Sequence, residues 1–360
     1  MSKITEATKE RVIALARDGQ YSKAVSALAP STVLAPTPDV LDSLRKLHPT
    51  ADAPAIPPLP HVEIVDPTRR ELRKLLRSFP LGSSGGISRL TPRVLTQVYM
   101  HSWENISWLV GCFARGDVPE FARPWFFGAR LIPLAKKAGG VRPIASGDVF
   151  RRLGAKLLAA KVKRDMAKLL LDHGQVGVGV PGGAEIATHL ARRVGDLWQQ
   201  PDFADHVIVK IDVKNAFNTV DRSAMLEAAC RHCPAICGYA FAAYSSPSTL
   251  AVAGGGFVES ASGVQQGDPL GPLLFSLALL DATIKARAEH KNAGNEPPKL
   301  DMAYLDDMVM GGQIISVTCY FELLRTYCAM VGLEFNPGKC EVISASGNVT
   351  LADIPPANCH

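Results

Sequence analysis

Three aspartates stand directly after two predicted strands, where carboxylates could carry chemistry. Asp212 follows the β-branched run 206–211 (HVIVKI), and Asp306 and Asp307 follow the predicted strand 300–305. Adjacent carboxylates in a turn repel each other, and a divalent cation would offset that repulsion. If the first strand lies beside the hairpin that carries the other two aspartates, they form a hard oxygen site for two Mg²⁺ about 3.5–4 Å apart. Such ions support phosphoryl transfer at a polymer end, and an ordinary cap or turn role is the alternative.

A glycine- and proline-rich loop, residues 262–273 (SGVQQGDPLGPL), leads into a predicted apolar helix over 273–280. Its glycines, Gly263, Gly267 and Gly271, would let the backbone come close to a ligand before the helix begins. A plain connection between a strand and a helix would have the same composition. The loop therefore suggests a binding element without deciding it.

Positive charge is concentrated between residues 120 and 172. This stretch holds twelve Lys or Arg and four Asp or Glu, a net of 12 − 4 = +8, while the whole chain carries +5. Two predicted strands within 129–144 flank a glycine turn and form a hairpin with Lys136, Lys137 and Arg142 at its tip. Such a tip of donors suits a triphosphate. The charge indicates either a solvated helical face or a surface that neutralises nucleic-acid phosphates.

Length and composition are those of an intracellular globular protein. The 360 residues leave room for two or three domains, and 47% hydrophobic with 20% charged residues excludes collagen-like, disordered and disulfide-scaffold classes. The most apolar run, 270–280, is far shorter than the roughly 20 residues that span a bilayer, so we expect no membrane segment. Residues 1–11 are charged and have no apolar centre. This predicts a non-secreted protein of the nucleus or cytoplasm whose cysteines are reduced thiols.

Other elements follow from periodicity and from proline and glycine positions. Helices are predicted over residues 3–30 with a turn at Gly19, and over 38–47, 69–78 and 91–100. Segment 49–60 (PTADAPAIPPLP) carries five prolines in 12 residues and predicts an extended connector. A zinc site is disfavoured because a second well-formed ligand pair is lacking beside Cys230, His232, Cys233 and Cys237.

Taken in order, these stretches resemble the reverse transcriptase polymerase domain. They are most similar to the enzymes of non-LTR retrotransposons and more distantly to those of group II introns and retrons. The resemblance covers roughly residues 81–342 and rests on five motifs whose order and spacing together are specific. These are a fingers motif over 131–144 (LIPLAKKAGGVRPI), motif A over 209–217 (VKIDVKNAF), motif B over 263–272 (GVQQGDPLGP), motif C over 304–307 (YLDD) and motif D over 332–339 (GLEFNPGK).

The resemblance implies a role for each matching residue. Two Mg²⁺, which Mn²⁺ could replace, would be held by Asp212, Asp306, Asp307 and the carbonyl of Val213. Contacts to the incoming nucleotide would come from Lys136, Lys137, Arg142, Gln266 and Gly267. Phe217 would close under the incoming sugar and reject a 2′-hydroxyl, and a core aromatic beside motif A is the alternative. Lys339 would act as a general acid near the pyrophosphate, and a solvated turn lysine is the alternative.

The implied fold is α+β, a right-hand polymerase with fingers and palm, an antiparallel palm sheet packed on helices, and a thumb that is missing or incomplete. We expect a helical extension and Pro-rich linker over 1–60, a fingers-type region over 61–205, a palm over 206–346 and a tail over 347–360. The implied activity is two-metal-ion addition of dNTPs to a DNA or RNA primer on an RNA template, by a retroelement-derived enzyme. A protein partner or a missing segment would supply the thumb. The alternatives are a catalytically silent nucleic-acid-binding remnant and an RNA-templated RNA polymerase.

Overall fold

The computed structural model describes residues 6–17, 19, 21–28, 33–80, 82–136 and 139–344. Helices surround two four-stranded sheets. The strands are β1 Ala129–Ala135, β2 Val141–Gly147, β3 His206–Ile211, β4 Ser248–Val252, β5 Phe257–Ser260, β6 Leu300–Tyr304, β7 Asp307–Gln313 and β8 Glu341–Ser344. The helices are α1 Glu6–Arg17, α2 Tyr21–Leu28, α3 Pro38–Leu47, α4 Arg69–Arg77, α5 Pro92–Arg115, α6 Arg123–Phe126, α7 Val149–Asp172, α8 Gly183–Leu197, α9 Ala216–Thr219, α10 Arg222–His232, α11 Cys237–Tyr244, α12 Gly271–Asn292 and α13 Ile314–Met330.

The first sheet, which we call the carboxylate sheet, has the strand order β6-β7-β3-β8 and is antiparallel throughout. Strand β3 lies in its interior, and its apolar residues Val209 and Ile211 are fully buried. Ile211 pairs with Met308, and Tyr304 pairs with Asp307 across the turn of the β6–β7 hairpin. The strand before Asp212 therefore lies beside that hairpin, which confirms the predicted neighbourhood.

The second sheet, which we call the hairpin sheet, has the order β2-β1-β4-β5. Strands β1 and β2 pair antiparallel from Ala129 with Gly147 to Ala135 with Val141, so the predicted basic hairpin is confirmed. Strand β4 runs parallel to β1, and β5 is antiparallel to β4. Sequence pattern alone does not predict β4 and β5, because two short strands joined through three glycines carry little periodic signal.

Helix boundaries follow local chemistry, and the predicted helices are confirmed within the described residues. Helix α4 begins at a capping box in which Thr68 and Glu71 satisfy each other's backbone N–H groups. Helix α5 is longer than predicted, continues through non-helical backbone at Ser102, and ends at Gly116 in the left-handed region. The apolar part of α12 is buried in the main core. Across the described residues, no helix combines the length and apolarity needed to cross a membrane.

The segment before the Pro-rich stretch is packed onto the hairpin sheet. Val33 forms a β-bridge with Leu134, and Leu44 of α3 is fully buried in a cluster with Leu131 and Leu250. Residues 49–68, all described, then run without helix or strand. The N-terminal segment therefore contacts the same sheet that carries the basic hairpin.

One basic residue of the 120–172 stretch is buried. Neither interpretation of the charge, a solvated helical face or a phosphate-binding surface, predicts this. Arg151 on α7 is 1% exposed, and its Nη2 lies 2.7 Å from Oδ2 of Asp268 in the motif B loop. Tyr239 and Tyr244 donate to the same carboxylate. A run of charges along a helix does not show that one of them has a buried partner more than a hundred residues away.

Among the cysteines that the structure describes, none is in a disulfide. His232, which belongs to the cluster considered for zinc, has its Nε2 atom 2.6 Å from Oδ1 of Asp281. This ring nitrogen is therefore engaged by a carboxylate.

Candidate active site

A cavity of about 920 Å³ is lined by residues of both sheets and of the motif B loop, and it gathers most of the predicted site residues. The carboxylate sheet and the segments that follow its strands contribute Asp212, Val213, Phe217, Asp306, Asp307 and Lys339. The hairpin sheet contributes Lys136 and Arg142, and the motif B loop contributes Gln266 and Gly267. Lys137 lies outside the described residues. Residues separated by up to about two hundred positions thus line one space.

The turn that presents Asp306 is held in a costly conformation. Leu305 adopts φ 57°, which a branched side chain rarely takes up, and the turn joins β6 to β7 through two residues. Buried Gln175 fixes this turn, since its Oε1 accepts from the Leu305 N–H at 2.8 Å and its Nε2 donates to the Leu305 carbonyl at 3.1 Å. The conformation persists because its surroundings determine it.

Asp212 is held from the opposite side by motif D. Asn336 Nδ2 donates to Asp212 Oδ2 at 3.1 Å, and the Asn336 backbone N–H donates to the Asp212 carbonyl at 2.8 Å. Lys339 Nζ stands 3.8 Å from the same Oδ2, and its side chain is 69% exposed. Lys339 is therefore both a solvated turn lysine and a cation at the mouth of the cavity.

The three carboxylates have the chemistry of a divalent-cation site. Burial and the negative charges of Asp307 and Asp212 raise the pKa of Asp306, with Arg142 acting in the opposite direction. Hard oxygen donors suit Mg²⁺, so the residues present fit such an ion. In the part of the chain that the structure describes, no three or more His, Cys, Asp or Glu side chains are already drawn together as a ligand set.

Phe217 contacts the hydrophobic core and also lines the cavity. Its ring stacks on Phe275 of α12 with centroids 4.8 Å apart and planes 18° apart, and it also lines the cavity. The motif B loop packs directly on its backbone, because the Val264 N–H donates to the Phe217 carbonyl at 2.6 Å. Phe217 is therefore a core aromatic that also lines the cavity.

The motif B loop is tied to the basic hairpin by backbone contacts. The Ala145 N–H of β2 donates to the Gln266 carbonyl at 2.8 Å. Gly267, at φ 136°, approaches the Ala145 carbonyl so closely that an added Cβ would collide with it. Glycine is required here by both the backbone angle and the close approach.

Several residues that organise the site were not predicted as site residues from the sequence. Gln175, Arg151 and Asn336 act through hydrogen bonds to partners distant in the chain. Asn215 is another case, since it takes φ 49° between Asp212 and Phe217. Asn is enriched at left-handed positions, which is a weak local hint for that residue alone.

Comparison with known proteins gives a consistent result. The family model described as "Reverse transcriptase (RNA-dependent DNA polymerase)" matches residues 134–351. The chain is 26% identical over 318 residues to the "Retrotransposable element SLACS 132 kDa protein" of Trypanosoma brucei gambiense, covering 81% of this chain and 24% of that protein. It is 29% identical over 147 residues to the "Retrovirus-related Pol polyprotein from type-1 retrotransposable element R2" of Popillia japonica, covering 39% of this chain and 24% of that protein. The chain thus spans about a quarter of the length of these curated relatives.

Proposed function

Because this chain belongs to the reverse transcriptase (RNA-dependent DNA polymerase) family, we propose that it adds deoxynucleotides to a primer 3′ end on an RNA template. The predicted resemblance to retrotransposon reverse transcriptases is confirmed by the family match and by both relatives. The observation that carries the proposal is the single cavity that Asp212, Asp306 and Asp307 share with the basic hairpin tip and the motif B loop.

Members of this family use divalent metal ions. In this chain, two Mg²⁺, or Mn²⁺ in their place, would be held by Asp212, Asp306, Asp307 and the Val213 carbonyl. When bound, such ions would lower the pKa of the primer 3′-hydroxyl and offset negative charge on the reacting phosphate and on the departing pyrophosphate. Burial, together with the negative charges of Asp307 and Asp212, raises the pKa of Asp306, and a bound divalent cation would offset both effects.

The remaining cavity residues bind and orient the nucleotide. Arg142 and Lys136, with Lys137 beside them in sequence, would bind the triphosphate, because guanidinium and ammonium groups donate to phosphate oxygens. Gln266 and Gly267 would contact the nucleotide from the motif B loop. The primer O3′ then bonds to the α-phosphorus while the bond from that phosphorus to the β-phosphate oxygen breaks.

Lys339 supports the departure of pyrophosphate. Its ammonium group lies at the cavity mouth, 3.8 Å from Asp212 Oδ2. From there it can donate a proton to a pyrophosphate oxygen as the bond breaks, which is the role of a general acid.

The proposal is tested by extension of a labelled DNA primer on an RNA template with dNTPs and Mg²⁺. The wild type should extend the primer, and an Asp306→Ala, Asp307→Ala double variant should not. Asp202→Asn removes one carboxylate from an exposed site outside the cavity and should leave extension unchanged.

A catalytically silent nucleic-acid-binding protein is the second candidate, favoured by the exposed basic residues Lys161, Lys163, Arg164 and Lys168 of α7. It predicts that RNA affinity depends on salt and is the same for wild type and Asp306→Asn. It also predicts that folded wild-type protein does not extend a primer. That combination of results would replace the polymerase proposal.

A further inference from the structure

The nucleotide cavity has one wall that none of the polymerase motifs supplies. Leu47, the last residue of α3, lines the cavity together with Asp212 and Phe217. We propose that the end of α3 is part of the nucleotide site, an inference that rests on the proposed function. Leu47 forms an apolar wall for the sugar or base of the incoming nucleotide, and the Leu47 carbonyl positions the motif A turn.

Helix α3 is a firm support for such a wall. Thr37 caps its N-terminus and Pro38 occupies its first turn. Leu44 is fully buried against the hairpin sheet, and the Leu34 N–H just before the helix donates to the Pro133 carbonyl at 2.9 Å. The helix is therefore attached to the sheet that carries the basic hairpin.

The end of α3 is fixed by buried His48. Its backbone N–H donates to the Arg45 carbonyl at 3.0 Å, and its Nδ1 bonds the Leu44 carbonyl at 2.8 Å. These contacts satisfy carbonyls that a helix C-terminus otherwise leaves unpaired. The Leu47 carbonyl remains available to a partner outside the helix.

That partner is Asn215 of motif A. Asn215 Nδ2 donates to the Leu47 carbonyl at 2.8 Å across 168 positions of sequence, and its Oδ1 accepts from Asn218 Nδ2 at 2.8 Å. Asn215 has φ 49°, a conformation that these two hydrogen bonds stabilise. The bond to α3 therefore holds the turn that connects Asp212 to Phe217.

The position of the wall indicates which part of a nucleotide it meets. The phosphate-binding cations Lys136 and Arg142 come from the hairpin, whereas Leu47 stands beside the motif A turn that carries Phe217. An apolar side chain cannot replace the hydration of a phosphate, but it can pack against a sugar or a base. Leu47 is thus suited to nucleotide affinity and not to the chemical step.

The test compares Leu47→Ala with Leu41→Ala, which removes the same atoms from another half-buried leucine of α3 that does not line the cavity. In steady-state primer extension, Leu47→Ala should raise KM for the dNTP about fivefold, the factor equivalent to roughly 1 kcal/mol, with kcat within about twofold. Leu41→Ala should leave KM within about twofold of wild type. Leu47→Met, which keeps most of the volume, should restore KM.

Equilibrium binding separates this inference from the proposed function. Fluorescence anisotropy of a base-labelled dATP should show about fivefold weaker binding to Leu47→Ala than to Leu41→Ala, whether or not either variant extends a primer. Asn215→Gly tolerates the left-handed backbone but loses the bond to Leu47, and it should also weaken binding. Wild-type binding without extension would contradict the proposed function alone. Equal affinities for the two alanine variants at equal melting temperatures, or no nucleotide binding by wild type, would overturn the role of Leu47.

Discussion

At the scale of single residues, Phe217 shows how one side chain serves the core and the site together. Its stack on Phe275 fixes the ring, while the other side of the residue lines the cavity. A ring held this way offers steric bulk and no hydrogen-bond acceptor to an incoming sugar. Discrimination against a 2′-hydroxyl by Phe217 would therefore be steric.

Replacement of Phe217 by Ala should relax that discrimination. We expect the preference for dCTP over CTP to fall roughly 10- to 100-fold, which corresponds to about 1.4–2.8 kcal/mol. Single-nucleotide incorporation on one template measures the ratio directly. The exposed Phe257→Ala is the control and should keep the wild-type ratio. An unchanged ratio for Phe217→Ala, starting from poor wild-type discrimination, would support RNA-templated RNA synthesis instead.

A second residue-scale prediction concerns His48 and pH. Burial lowers the pKa of His48, and nearby Arg222 adds to this effect against the hydrogen bond to the Leu44 carbonyl. The unfolded chain therefore binds a proton more readily than the folded chain, so stability falls as the pH drops below the ordinary His pKa of about 6.5.

The free energy of unfolding should accordingly fall as the pH drops from about 6.5 towards the lowered pKa of folded His48, by at most about 1.4 kcal/mol per pH unit. Chemical denaturation at several pH values measures it. His48→Gln should flatten this dependence, whereas the exposed His61→Gln should not. Parallel pH profiles for wild type and His48→Gln would contradict the assignment.

At the scale of elements, the motif B loop is held from beneath by two buried arginines. Arg151 on α7 pairs with Asp268 and donates to the Phe127 carbonyl at 2.6 Å. Arg222 on α10 donates to the carbonyls of Gly263 and Ser260, each at 3.0 Å. Gly263 near the start of the loop and Asp268 in its middle are thus attached to helices of the core.

Removal of the carboxylate from this network should be costly. Asp268→Asn keeps the shape but leaves Arg151 buried without a counter-charge, and we expect it to lower the free energy of unfolding by about 3–5 kcal/mol. Urea denaturation measures the loss. Asp42→Asn breaks an exposed pair with Lys46 on α3 and should leave the free energy of unfolding nearly unchanged. Similar losses of unfolding free energy in the two variants would show that the buried Arg151–Asp268 pair stabilises the protein no more than the exposed pair does.

At the scale of the whole molecule, the basic residues of α7 lie next to the motif B loop. A groove of about 820 Å³ is bordered by Lys74, Lys156, Lys161 and Lys163, and it reaches Pro269 and Pro272 of that loop. Pro272 also lines the nucleotide cavity, so the groove leads towards the site. The charge excess of the 120–172 stretch is therefore placed where a nucleic-acid strand could enter.

Neutralisation of this groove should change the salt dependence of binding. Lys161→Gln with Lys163→Gln should reduce the slope of log K against log salt by about 1.4 for single-stranded RNA, if each lysine meets one phosphate. Anisotropy of labelled RNA over a range of salt concentrations measures the slope. Lys291→Gln with Lys299→Gln, exposed and outside the groove, should leave it unchanged. An unaltered slope in the first variant would place the RNA elsewhere.

Larger features of the architecture stay predictions. The division into an N-terminal extension, fingers, palm and tail, and the supply of a thumb by a partner or a further segment, are among them. The matched regions cover about a quarter of the length of each relative.

The sequence by itself determined the local elements and the family resemblance. The apolar run before Asp212, the basic hairpin and helix α3 are specified by contiguous residues, since side-chain periodicity, proline and glycine act over short distances. Asp212, Asp306 and Asp307 were singled out because adjacent carboxylates in a turn repel each other and because their segments resemble motifs A and C.

The tertiary structure alone decided which distant residues serve these elements. Gln175 clamps the turn of Asp306, Arg151 neutralises Asp268, and Leu47 holds Asn215 and completes the cavity wall. Each of these contacts joins positions more than a hundred residues apart. Which residues form these contacts depends on how whole sheets and helices pack against each other. Patterns within one sequence act over short distances and do not predict that packing.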